Sequence, residues 1–381
     1  MPILKAKNLG ERATIGKAQY GYTSKGRIYK EEKMKAARLK GARDITLEEI
    51  PVPEISDMEV LVEAKYCGIC GTDLHAFQFP GFFPVGCFMG HEFSGVIAKV
   101  GNKVEAWKAG DRVIVLPGTQ CGECWACQHG FLSLCERAME AIGVSTDETM
   151  PGAFAKFVRV PIPDRRLYSL PEEVSFEEGA LVEPLATSLH AVRISAFRPR
   201  DYTMVLGVGG IGLGAIAFLK NAGAGLIIAT RGKNKKRGEV AMKLGADYVF
   251  SPAEVPDLKE KVFELTDGEG VSMVFDCSGV AQAFQSATDF LRPRGQIVLV
   301  GIIDKEVPIV PFNINLHEIQ LQGSWCYVDE FPMVIDFLKK GVVPVKEMIT
   351  SKIKLSDIVE QGFEKLLKPG HAEIKILVSP E

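Results

Sequence analysis

The chain has no apolar stretch of the kind that crosses a membrane. Its longest apolar-plus-glycine run, Met204–Leu219, is broken repeatedly by glycine and closed by Lys220, whereas a spanning helix needs about 20 predominantly apolar residues. The run reads instead as a buried strand, a turn and a helix, and no membrane partner is expected. The N-terminal segment lacks the continuous apolar block of a secretory signal. An excess of one charge is missing as well. Lys and Arg number 45 against 48 Asp and Glu, a net charge of −3, so there is no global electrostatic case for nucleic acid. The local exception is residues 1–33, where eight basic residues face three glutamates. This N-terminal extension reads as a solvated tail in preference to a docking arm or a weak targeting signal. No short internal repeat or low-complexity tract is evident. With 46% hydrophobic and 24% charged residues over 381 positions, the chain has the makings of about two globular domains, each with its own core.

Nine cysteines, an odd number, cannot all pair. Without a signal peptide they point to a reducing interior and a cytoplasmic protein. Four of them, Cys121, Cys124, Cys127 and Cys135, fall within the fifteen-residue stretch CGECWACQHGFLSLC. Thiolates are the soft ligands that Zn²⁺ favours, and two-residue gaps let successive sulfurs converge on one tetrahedral ion. A closed four-sulfur site leaves no open coordination position. This zinc, in a lobe over residues 117–138, is therefore structural, and the chemistry must lie elsewhere.

From Met34 to about Val160 short β-rich runs alternate with glycine- and proline-rich turns. Examples are Glu59–Ala64, Ser94–Val100 and Asp111–Leu116. The pattern predicts an antiparallel barrel or sandwich. From about Ala180 the texture changes to compact apolar strands alternating with apolar helices. Strands are expected at Thr203–Leu206, Gly225–Ala229, Ser272–Asp276 and Gln296–Val300, with helices at Ile211–Ala222 and Arg237–Leu244. Such alternation predicts a doubly wound parallel sheet. A helix over Phe331–Lys340 and a closing strand, Glu373–Val378, follow; that strand is expected to return to the first domain.

Directly after the first of the parallel strands comes VLGVGGIGLG, in which Gly207, Gly209 and Gly212 supply G-x-G-x-x-G. The first glycine allows a tight turn, the second lets a pyrophosphate approach the backbone, and the third lets helix and strand pack closely. Free N–H groups at the helix start, around Gly210 and Ile211, then meet the phosphates. An acid at the end of the second strand would bind the ribose hydroxyls of NAD. Here that strand runs into Thr230-Arg231-Gly232-Lys233 without one. Arg231 and Lys233 suit a 2′-phosphate, which favours NADP over NAD; the alternative is a solvated basic loop.

In the first region, Cys70 in YCGICGTDLH and the pair His91-Glu92 in GHEF place a thiolate, an imidazole and a carboxylate on distant loops. Three such ligands make a zinc site with a position left for substrate. Beside a dinucleotide turn they suggest metal-assisted hydride transfer.

In order along the chain, GICGTDLH, GHEFSGVI, the four-cysteine lobe, EPLATSLHA and GVGGIG resemble the zinc-dependent medium-chain dehydrogenase/reductase family, above all its sorbitol and threonine dehydrogenase branch. The likeness covers nearly everything from Met34 to Glu381. It implies a GroES-like catalytic domain over 34–188 and 326–381, with a Rossmann-type coenzyme domain over 189–325 inserted before its last part. It also implies that Cys70 and His91 bind the catalytic zinc. Glu183 falls where many alcohol dehydrogenases carry a third ligating cysteine; Glu92 replaces it or alternates with it. Asp73 is the expected partner of the ligating histidine. Thr72 and His75 are expected to pass the released proton outward through the coenzyme ribose. Cys67, Cys87, Cys277 and Cys326 are read as packed thiols. Phe77, Phe79, Phe82, Phe83 and Phe88 either line an apolar pocket or pack the core. The implied activity is oxidation of a secondary alcohol or polyol, or its reverse, by a homodimer or homotetramer with two zinc ions per chain. A zinc-free quinone or enoyl reductase, and a nucleotide-binding regulator with only structural zinc, are the rivals. Residues 1–33 are a departure, because family members commonly begin near Met34.

Overall fold

Apolar strands that follow one another through helices end up buried on both faces, and the second half of the chain shows this. The computed structural model describes residues 22–23, 26–27, 32–79 and 81–380. Tyr202–Leu206, Leu226–Thr230, Tyr248–Phe250, Val271–Asp276, Leu291–Leu299 and Gln320–Gly323 form one six-stranded sheet. All its pairings are parallel. Counted along the chain, the strands lie in the order 3-2-1-4-5-6, so the order reverses between Tyr202–Leu206 and Val271–Asp276. A crevice opens at such a reversal, beyond the carboxyl ends of the strands. Helices cover both faces, Gly210–Asn221 and Lys235–Leu244 on one and Leu258–Leu265 on the other.

The four strands and two helices expected here are present with ends moved by one to several residues. The largest shift is Leu291–Leu299, which begins five positions before the expected Gln296. Tyr248–Phe250 was too short to read, and the edge strand Gln320–Gly323 is too polar and exposed to show the apolar run of a central strand.

The first half builds a nine-stranded, largely antiparallel sheet. Glu59–Gly68 pairs with Glu92–Val100, Phe157–Pro161 and Lys375–Ser379. The closing strand thus returns to the first sheet, where Leu377 faces Gly68. Ile349–Lys354, absent from the sequence reading, runs parallel beside it. Of the extension, the two short strands Tyr22–Thr23 and Gly26–Arg27 are described, and Gly26 pairs with Lys99. Its remaining course before Glu32 lies outside the described residues. Phe77, Phe93, Phe154 and Ile376 fill the interior of this sheet.

The helix Val182–Ile194 joins the two halves. Leu185 and Leu189 share one buried cluster with Ile114 from the antiparallel sheet and Val205 from the parallel one. A single packed core therefore fixes the two sheets against each other, and Glu183, in the first turn of this helix, points toward the cleft between them. No helix of the described residues is long and apolar enough to cross a membrane.

Candidate active site

In the cysteine lobe the sulfurs of Cys121, Cys124, Cys127 and Cys135 all lie within 4.8 Å of one another. Cys121 and Cys127 are 3.9 Å apart. Two thiolates about 2.3 Å from a tetrahedral ion stand about 3.8 Å apart, whereas a disulfide needs about 2.05 Å. Backbone N–H groups of Cys121, Cys124 and Arg137 donate to these sulfurs at 3.3–3.4 Å. Backbone N–H groups of Cys127 and Glu136 pull the Cys124 thiol down to about 6. The donor set fits one closed, four-sulfur metal site.

The second cluster is built from two turns. Cys70 caps the helix Gly71–Gln78, and its N–H donates to Asp73 Oδ2 at 2.9 Å, which pins the sulfur at the helix start. Gly90, at φ +97°, sets up the other turn. A Cβ there would meet the backbone nitrogen of Phe154 at 2.5 Å, so only glycine lets His91 and Glu92 come this close. One ligating atom each of Cys70, His91 and Glu92 then lies within 4.8 Å of the others. His91 Nδ1 is 3.6 Å from Asp73 Oδ1, an ion-pair distance rather than a hydrogen bond, and its Nε2 is 3.4 Å from Thr72 Oγ1.

Glu92 is fully buried, and both its oxygens accept from Lys375 Nζ, at 2.6 and 2.8 Å. Lys375, also buried, donates to the Ile69 carbonyl at 3.2 Å as well. Glu183 stands outside the 4.8 Å group but lines the same cavity, beside Tyr327. Burial pushes Glu183 up to about 7; His91 pulls it down and Glu92 pushes it further up. Burial likewise raises the Cys70 thiol, with Glu92 adding to the effect. Burial alone would lower His91, yet Asp73 and Cys70 hold it well above the ordinary range. Soft and oxygen donors crowded into a dry site in this way suit a cation, whose charge reverses each of these penalties.

Across the cleft, the glycine turn is held as its spacing requires. Gly207 has φ +89°, Gly209 caps the helix Gly210–Asn221, and a Cβ on Gly212 would come 1.9 Å from the Gly207 carbonyl oxygen. Ile211 lines the cavity, and the Lys375 side chain passes close to Gly210. Thr230 ends the second strand, with its hydroxyl 3.2 Å from the Gly207 N–H that it accepts. Arg231 is ion-paired to Glu254 at 2.6 Å, and Lys233 is exposed.

The cavity between the walls measures about 570 Å³. On its metal side lie Cys70, Thr72, His75, His91 and Glu183; Ile211, Cys277 and Ile302 lie on the nucleotide side. His75 sits between the rings of Phe79 and Phe82, at 4.9 and 4.5 Å. Its Nε2 is 3.3 Å from Asp304 of the opposite wall.

Comparison with known proteins agrees with this geometry. A family model described as "Zinc-binding dehydrogenase" matches residues 210–340, and one described as "Alcohol dehydrogenase GroES-like domain" matches residues 56–172. The chain is 34% identical over 355 residues to sorbitol dehydrogenase of Bacillus subtilis, covering 92% of this chain and 98% of that protein. It is 37% identical over 364 residues to (R,R)-butanediol dehydrogenase of the same organism, covering 91% and 100%. The chain belongs to the zinc-dependent medium-chain dehydrogenase/reductase family. The X-ray structure of 2R,3R-butanediol dehydrogenase from Bacillus subtilis superposes with a TM-score of 0.82 at 36% identity, over 91% of this chain and 100% of that one. A zinc-binding dehydrogenase from Sinorhizobium meliloti, bound to NADP, does so with a TM-score of 0.82 at 29% identity, over 92% and 100%.

In this dehydrogenase the phenylalanines divide. Phe82 and Phe83 line the cavity, Phe77 and Phe88 are wholly buried, and Phe79 is half exposed. Cys67 and Cys87 are packed as expected. Cys277 and Cys326 also pack against the shared core, but from its edge: both are part-buried and line the cleft. Cys277 directly follows the strand end at the sheet reversal, and Cys326 takes a left-handed turn at φ +51° that brings the chain to the cavity. Sequence reading missed Lys375, although a signal existed: a lone lysine in the otherwise apolar run Ile374–Val378 is expected to be buried, and a buried ammonium requires a carboxylate. Tyr327 and Asp304 carried no such signal.

Proposed function

We propose that this dehydrogenase reversibly oxidises a secondary alcohol or polyol to the corresponding carbonyl, using NADP in preference to NAD and two zinc ions per chain. The observation that carries the reading is the convergence of Cys70 and His91 on one wall of a cleft whose other wall is the glycine turn. The lobe cysteines would hold a structural zinc. Cys70 and His91, with Glu183 or Glu92 as the third ligand, would hold the catalytic one. When bound, that zinc supplies a Lewis acid for the alcohol oxygen, and the nucleotide supplies the hydride acceptor.

The chain's own groups do the rest. Asp73 fixes the start of the Gly71–Gln78 helix and faces His91, so two ligands are positioned from one buried carboxylate. Lys375 pairs directly with Glu92, whereas Glu183 makes no direct ion pair among the described residues and feels His91 and Lys375 only at longer range. Thr72 would take the alcohol proton, and His75, which lines the same cavity and faces Asp304, would release it toward solvent. Phe82 and Phe83 exclude water from this end.

The absence of an acid at Thr230 supports NADP. The nine free cysteines support a cytoplasmic location. The coenzyme domain is taken as 189–325, between catalytic parts 34–188 and 326–381. A homodimer or homotetramer is supported by the edge strand Gln320–Gly323, whose outer side has no partner among the described residues, and by exposed Val310, Phe312 and Leu316. Sorbitol and butanediol, named in its relatives, are the first substrates to try.

The test is a panel of secondary alcohols and polyols with both coenzymes, followed by the absorbance of reduced nicotinamide on metal-replete protein, together with metal analysis. Alcohol-dependent reduction and two zinc ions per chain are expected. A chain with one zinc and no turnover would be the regulator, and a metal-free chain that reduces quinones or enoyl compounds would be the reductase.

A further inference from the structure

We propose that Glu254 weakens the preference of this dehydrogenase for NADP by competing with a ribose 2′-phosphate for Arg231. The inference rests on the dinucleotide reading of the glycine turn and goes beyond it, because it assigns a share in the choice of nucleotide to a residue that sequence reading did not notice.

Arg231 stands where the adenosine ribose would be met. The preceding residue, Thr230, is in register with Leu206, and Thr230 accepts from the N–H of Gly207, the first glycine of the turn. The guanidinium stem is held from below. A Cβ on Gly238 would lie 2.9 Å from Arg231 Cδ, and the same point is 3.4 Å from Val249, so the stem lies flat on the Lys235–Leu244 helix at its one side-chain-free position. The arginine backbone N–H donates to the Phe250 carbonyl at 2.8 Å. Only 12% of the side chain is exposed. Its place at the ribose end of the cleft is thereby fixed before any ligand arrives.

Both terminal nitrogens of that guanidinium are engaged. Nη1 donates to the Gly232 carbonyl at 2.9 Å, and Nη2 donates to Glu254 Oε2 at 2.6 Å. Glu254 is placed by the turn after the strand Tyr248–Phe250, where its N–H donates to the Ser251 carbonyl at 2.9 Å. Its side chain is 54% exposed, and an ion pair so open to water contributes little to folding stability. Its effect on a ligand is larger. A phosphate monoester carries about −1.5 to −2 charges at neutral pH and binds arginine best through two parallel N–H bonds. To make them it must displace the carboxylate, and it then sits beside that carboxylate's negative charge. NAD, which carries a ribose hydroxyl there, meets neither cost. Glu254 therefore handicaps NADP while leaving Arg231 in place to receive it.

The test uses nucleotides that differ only in the 2′-phosphate, 2′,5′-ADP and AMP, measured by titration calorimetry on the metal-replete wild type, Glu254→Gln and Arg231→Ala. Glu254→Gln is expected to tighten 2′,5′-ADP about tenfold and leave AMP within about twofold, with kcat/KM for NADP over NAD moving in step. Arg231→Ala is expected to bring 2′,5′-ADP down to the affinity of AMP. The proposal is overturned if Glu254→Gln changes both nucleotides alike, or if Arg231→Ala leaves 2′,5′-ADP unaffected. AMP serves as the control for folding. Failure of all three proteins to bind either nucleotide or coenzyme would overturn the dinucleotide reading itself.

Discussion

Replacing Lys375 with methionine should destabilise this protein far more than an ordinary loss of one lysine. Glu92 has no exposure to water, and a single ammonium satisfies both of its oxygens. Removing one partner of such a buried pair strands the other charge and costs about 3–5 kcal/mol. That is a large share of a total stability of about 5–15 kcal/mol. In Lys375→Met the methionine fills much of the vacated volume, so cavity formation is a small part of the loss. The Ile69 carbonyl also loses its donor. Adding Glu92→Gln removes the stranded charge, and the double variant should recover about 2–3 kcal/mol relative to the sum of the singles. The sign with pH follows from the lysine. Burial alone would lower its pKa, but Glu92 outweighs burial and raises it above the ordinary 10.5. On the alkaline side the lysine's contribution is therefore complete below that value and is lost as pH rises through the folded-state value. Equilibrium urea unfolding of the four metal-replete proteins of the cycle, followed by far-ultraviolet circular dichroism, measures the coupling. A coupling below about 0.5 kcal/mol would refute the reasoning and leave Lys375 as packing alone.

Cys124→Ser should cut the metal content from about two zinc ions per chain to about one and open the lobe to limited proteolysis, since three sulfurs no longer close the tetrahedron; elemental analysis reads the first effect. Gly212→Ala places a methyl 1.9 Å from the Gly207 oxygen and should weaken coenzyme binding roughly a hundredfold, about 2.7 kcal/mol, with zinc content unchanged; coenzyme titration by fluorescence checks it. His75→Ala should lower turnover about a hundredfold near neutral pH and be partly rescued by added imidazole. An equal loss at every pH without rescue would remove His75 from the proton path.

Much of this enzyme is legible in short stretches of sequence, because some chemistry needs its residues close together along the chain. Four cysteines in fifteen residues can converge on one ion whatever surrounds them. A strand, three spaced glycines and a helix form a phosphate-binding turn from local backbone geometry alone; the structure places Gly207 at a positive φ and Gly212 at a contact distance that tolerate no side chain, while Gly209 caps the helix with open space beside it. The alternation of apolar strands and helices was enough to predict the parallel sheet, though not its polar edge at Gln320–Gly323.

The pairings that tune the site are another matter. Glu92 and Lys375 are 283 residues apart. Glu183 comes beside Tyr327 and His75 meets Asp304 only after two sheets have packed on a shared core, and Arg231 meets Glu254 once two adjacent strands of the parallel sheet have paired. Each of these side chains has an ordinary reading in isolation. Long-range partners are chosen by the path of the backbone, which the burial of apolar surface decides for the chain as a whole. The sequence by itself therefore determined the ligand types and the coenzyme turn; tertiary structure alone decided which carboxylate is directly paired, which is not, and which charges face across the cleft.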